Sequence, residues 1–128
     1  MQTANDKIRI DLPVLLPEVT QARDRCVAIL IDALTAREGI SQAHVKEVAG
    51  HPQLCIHYDR HLLPLHRVRE IAKSAGARIT DDFAHVDLDV APINPRALPR
   101  ISGLIEQIPG VIEAGVGASG RIHIEFDR

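Results

Sequence analysis

Tryptophan is absent from this 128-residue chain, and one tyrosine and two phenylalanines are its only aromatic residues. A nucleic-acid interface needs stacking rings and basic patches, and fifteen basic against seventeen acidic side chains give a net charge of −2 instead. Two cysteines, Cys26 and Cys55, are too few for a disulfide framework, which makes a reducing cytoplasm the default compartment. No apolar run reaches the roughly 18 residues of a membrane span, and the N-terminus has no signal-peptide pattern. There is no Gly-rich phosphate loop and no serine or cysteine nucleophile with a placed base, so the chain itself is not expected to be an enzyme.

What the chain does have is a stretch that occurs twice. Gly39-Ile40-Ser41-Gln42-Ala43-His44-Val45 runs parallel to Gly110-Val111-Ile112-Glu113-Ala114-Gly115-Val116, and Leu54-Cys55-Ile56-His57-Tyr58-Asp59-Arg60 is echoed by Ile122-His123-Ile124-Glu125-Phe126-Asp127-Arg128. The offset is 71 at Gly39/Gly110 and 68 at Tyr58/Phe126, so three residues are missing between the paired segments of the second copy, where a hairpin turn absorbs them. A repeat this long signals a duplicated domain, not a solenoid, whose period is roughly 20–50 residues.

Hydrophobic periodicity assigns the elements. Lys7 to Leu12 alternates as a half-buried strand, and Pro13 and Pro17 make Val14 to Thr20 a loop. Val27, Leu30, Ile31 and Leu34 form one face of a helix from about Gln21, with Thr20 as N-cap and Gly39 as stop. Gln42 to Val48 and Gln53 to Tyr58 are two strands of a hairpin around Ala49-Gly50-His51-Pro52. A second helix carries Leu65, Val68, Ile71, Ala72 and Ala75 and is expected to stop at Gly76, with a short strand at Ala77 to Thr80. The cycle restarts with a strand through Val86, Leu88 and Val90, a helix bearing Leu98, Ile101, Leu104, Ile105 and Ile108, and strands near Ile112–Val116 and Arg121–Phe126. The expected fold is therefore α+β: a ferredoxin-like βαββαβ sandwich over residues 1–82, then a truncated βαββ copy over 83–128 with half its sheet face uncovered and a free edge on its first strand.

Those hairpins, each ending in Tyr/Phe-Asp, resemble the heavy-metal-associated domains found at the cytoplasmic N-termini of heavy-metal-transporting P-type ATPases and as free metallochaperones. The lead-in Asp11-Leu12-Pro13-Val14-Leu15-Leu16-Pro17 is similar to that of zinc/cadmium/lead-type members. The resemblance implies a metal-binding or regulatory region of an ATP-driven metal translocase whose membrane and ATP-hydrolysing parts, with their Asp-Lys-Thr-Gly motif, lie outside this chain. It implies location at the cytoplasmic face of the membrane, with the rest of the transporter or a metal donor as partner, and Zn²⁺ or another divalent heavy metal as ligand. The family binds soft metal through Cys-x-x-Cys at the start of the first helix; here Cys26 fills the second position, Arg23 stands at the first, and Asn94 and Ala97 occupy both positions of the second copy.

Two candidate metal sets follow. Cys26 with Asp24 offers mixed sulfur and oxygen donors, against a plain reading as a small residue packed near a helix start. His44 and His57 are expected as cross-strand partners around a turn centred between Gly50 and His51, with Lys46 facing Cys55 on the same face; the plain reading is a solvated sheet face. His51, His61, His66, His85 and His123 read as surface residues, and Asp59 and Asp127 as turn caps. The alternative function is a metal-free ferredoxin-like module for small-molecule sensing or for dimerisation through the incomplete second unit.

Overall fold

The computed structural model describes residues 5–19, 22 and 24–128 and divides into two compact units, Met1–Thr80 and Asp81–Arg128. The first contains β1 (Asn5–Asp11), α1 (Leu12–Leu15), α2 (Arg25–Thr35), β2 (Ile40–Val48), β3 (His51–Asp59) and α3 (Leu65–Asp82), which runs on into the second. The second adds β4 (Phe83–Asp89), a 3₁₀ turn at Pro95–Ala97, α4 (Leu98–Glu106), β5 (Val111–Val116) and β6 (Arg121–Asp127). The class is α+β, with two separate three-stranded antiparallel sheets of order β1-β3-β2 and β4-β6-β5.

Strand alternation builds the first core. Ile8, Leu54, Ile56 and Tyr58 turn one way from the sheet and are buried, as are Leu30 and Leu34 of α2. Completely burying such a side chain removes roughly 1.5–3 kcal/mol of apolar contact with water. At the start of α2 the Asp24 carboxylate accepts the Cys26 N–H at 2.8 Å, a cap worth about 1 kcal/mol. The helix thus begins at Arg25, later than about Gln21; the expected cap Thr20 lies outside the described residues.

Two expectations fail locally. Part of the Val14–Thr20 loop is helical, because Pro13 sits in the first turn of α1, where its missing N–H leaves no bond unmade. The expected strand Ala77–Thr80 is helix instead, so the described residues of the first unit include no fourth strand of a full βαββαβ sandwich. The stripe Val68, Ile71, Ala72 simply continues through Gly76 to Ile79 at helical spacing, and all five are buried. Gly76 is no stop: a methyl group there would overlap the Leu15 carbonyl, so its bare Cα is what lets α3 lie against α1.

The two sheets share more than strand order. Each middle hairpin has a bulge one step after its first pairing, between Ile40 and Gln42 in one and between Val111 and Glu113 in the other. Each is preceded by a glycine at positive φ, Gly39 at 97° and Gly110 at 92°, whose carbonyl accepts the N–H of Asp59 or Asp127 at 2.8 and 2.7 Å. Among the described residues no helix is long and apolar enough to cross a membrane.

Candidate metal centre

The β2–β3 hairpin places the first donor set. Its turn is Ala49-Gly50, with both residues at positive φ, 52° and 80°, the two-residue geometry whose twist suits paired strands. The turn centre therefore lies one residue earlier than expected, and every pairing moves by two: His44 faces Cys55, Lys46 faces Gln53, and His57 faces Gln42. A two-residue shift keeps each side chain on its face, so the donors stay together while their partners change. His44 and His57 become diagonal neighbours with ring centroids 5.3 Å apart, and Cys55 Sγ lies 3.8 Å from His57 Nε2.

One donor atom from each of His44, Cys55 and His57 lies within 4.8 Å of the others. Tetrahedral Zn²⁺ with nitrogen and sulfur ligands separates its donors by roughly 3.4–3.6 Å, as follows from its bond lengths, so small side-chain rotations close the set. Two further facts fit a cation. His44 Nδ1 is buried with no hydrogen-bond partner, the kind of orphaned lone pair or N–H that calls for a ligand. Burial, then the Lys7 ammonium opposite it on β1, then His44, hold the His57 imidazole below its ordinary range, which favours the neutral, ligating form.

Neither Cys26 nor Asp24 belongs to this first set. Cys26 is completely buried on the core face of α2, and its backbone N–H is what the Asp24 carboxylate holds. Among the described residues Cys26 belongs to no group of three convergent donors. Asp59 caps its turn, accepting the His61 N–H at 2.9 Å.

His85 and His123, expected at the surface, are instead drawn into a second set, with side chains 7% and 28% exposed. In the second unit β4 runs beside β6 with His85 opposite Glu125 and Asp87 opposite His123. Glu125 is completely buried and one of its oxygens meets both imidazoles, His85 Nε2 at 3.0 Å and His123 Nε2 at 3.4 Å. Behind it, Asp87 engages the other nitrogen of His123 at 2.6 Å. The donors of His85, His123 and Glu125 also converge within 4.8 Å. A carboxylate holding the far nitrogen of a histidine is how metal-ligating imidazoles are oriented and made more basic. A carboxylate buried like that of Glu125 is costly without positive charge beside it.

The signal for this set was available. His123 does face Gly115 across its own hairpin, which suggested isolation. Its functional neighbours are on β4, and the strand order of a ferredoxin-like sheet puts the first strand beside the third; extending the register across that pair aligns His85 with Glu125. Both clusters then occupy the same side of the same strand, Cys55 and His57 in one unit matching His123 and Glu125 in the other.

No protein-family model matches the chain, and no curated protein does. Among solved structures, the N-terminal extension of CzcP from Cupriavidus metallidurans is 38% identical, with a TM-score of 0.86 over 97% of this chain and 86% of that one. The N-terminal soluble domains of Bacillus subtilis CopA are 19% identical, at a TM-score of 0.43 over 98% of this chain and 80% of that one. The water-soluble region of the P-type ATPase CopA from the same organism is 18% identical, at 0.45 over 98% and 78%.

Proposed function

Since the chain belongs to the N-terminal soluble regions of heavy-metal-transporting P-type ATPases, similar to heavy-metal-associated domains, we propose that it binds divalent heavy-metal ions and regulates its transporter through them. The observation that carries this reading is the recurrence of convergent donors on the same two positions of the third strand in each unit, Cys55 and His57, then His123 and Glu125. We place one ion on His44, Cys55 and His57 and one on His85, His123 and Glu125, with Asp87 orienting His123. Cys26 packs and Asp24 caps. Nitrogen with sulfur in the first set, and nitrogen with oxygen in the second, suit Zn²⁺ and Cd²⁺ better than a purely thiolate-bound Cu⁺. The matching bulges and glycines support an internal duplication in which the second copy is the shorter.

In this reading neither cluster is catalytic: ATP hydrolysis and translocation belong to the rest of the transporter, and this region lies at the cytoplasmic face of the membrane. Binding becomes regulation if the metal-loaded and metal-free forms contact the pump differently, a coupling that transporter and metal must exert on each other equally. The test is titration of the chain with Zn²⁺ and Cd²⁺, followed by histidine NMR and calorimetry. Two events are expected, one moving the His44 and His57 resonances and one moving His85 and His123. Glu125→Gln should weaken the second event about 100-fold while leaving the first in place. Histidine resonances that stay fixed at micromolar metal would end the proposal.

A further inference from the structure

The inner face of the second sheet is half bare. In the first unit Ile8, paired with Ile56, is 7% exposed, while Val86, which pairs with Ile124 at the matching place, is 36% exposed. Leu88 is 45% exposed beside it. α4 lies over β5, whereas β4 is the opposite edge of the sheet. No α4 residue is completely covered; Leu104 on it is 55% exposed, and Ile108, just past its end, is 54% exposed. What is left open is the apolar side of β4, a trough that α4, lying on β5, does not cover.

The molecule itself indicates what fits such a trough. The first unit has the same strand order, and its core is closed by two helices, α2 and α3; α3 contributes the buried stripe Val68, Ile71, Ala72, Gly76 and Ile79. The second unit, as described, has one helix for the same task. We propose that the trough over β4 and β6 receives an amphipathic helix of the α3 kind, with valine, isoleucine and alanine at helical spacing, supplied by the transporter polypeptide to which this region is joined. Helix-in-groove docking of this type rests on apolar anchors three and four residues apart. The surface is separate from the second unit's donor cluster, which lies on the other side of its sheet, so the proposal rests on family membership but not on metal binding. A chain that binds no metal leaves it standing.

Leu88→Cys provides the test, since the native Cys26 and Cys55 are buried. Maleimide labelling at that position should be fast in the isolated region and slowed at least tenfold in the full-length transporter. Leu62→Cys, on the first unit at a residue 56% exposed, should label equally in both. A synthetic peptide with the Leu65–Asp82 sequence should slow labelling of the isolated Leu88→Cys protein, and Val86→Glu should remove that protection. Equal labelling in the isolated region and the transporter would overturn the proposal. So would labelling that slows with protein concentration alone, which would assign the trough to a second copy of this chain, or protection that the peptide does not reproduce.

Discussion

The two units hold their donor atoms on equivalent strands, yet they surround them with opposite charge. Across from Cys55 and His57, β1 presents Arg9 and Lys7; across from His123 and Glu125, β4 presents Asp87 and His85. A cation entering the first cluster meets two like charges, whereas one entering the second meets a buried carboxylate and a second carboxylate behind it. At about 4–6 Å such neighbours shift charged equilibria by an order of magnitude or more. If both sets take a cation, as proposed, the same backbone supports a weak sulfur-containing site and a stronger oxygen-containing one, and the difference lies in outward residues of the first and third strands.

The contrast in coverage should give the largest effects. Leu54→Ala, at a residue with no exposure in the first unit, is expected to cost about 2–5 kcal/mol in denaturant unfolding. Leu104→Ala on α4 should change stability by less than about 0.5 kcal/mol, and equal losses at the two would erase the distinction between a closed core and an open one.

Next in size is the support behind His123. Asp87→Asn keeps the shape but removes the charge, and should weaken metal binding at the second cluster about 10–100-fold by calorimetry, with the first cluster unaffected. Transferring that charge pattern to the first unit is the converse experiment. Lys7→Glu with Arg9→Asp should tighten divalent binding at His44, Cys55 and His57 about tenfold, in line with the electrostatic effect of a like charge replaced by an opposite one. Unchanged affinity would mean that donor identity alone ranks the sites.

The smallest effect concerns protons. Because His57 resists protonation in the fold, acidification lets the unfolded chain take up a proton first; stability is full above the ordinary imidazole value of 6.5 and falls as pH drops through it toward the lowered native value. His57 should titrate below 6.5 by NMR, and Lys7→Glu should move its midpoint upward. A native midpoint at or above 6.5 would contradict the packing and charge described around it.

Much of this was legible in the residues. Alternation at Lys7–Leu12 and the repeated hairpins located the strands, and the leucine and isoleucine spacing located α2 and α4, because period and burial follow from the backbone alone. The end of α3 was not legible, since Gly76 reads as a terminator unless one knows that the Leu15 carbonyl lies against it. His44, Cys55 and His57 could be placed on one face because any even shift in register preserves sides, although their pairing could not. His85 and Glu125 are 40 positions apart in sequence, and only the order of strands in space makes them neighbours.

The Ala49-Gly50 turn has a consequence for how such a protein can change. With its length fixed, odd-numbered residues of β3 such as Cys55 and His57 are free to be exchanged for other donors, while Leu54, Ile56 and Tyr58 go on closing the interior undisturbed. Inserting one residue within a strand would instead send leucines to the donor face and histidines into the oil. Under the proposed function, metal preference can therefore drift by point substitution, yet the hairpin must keep its length.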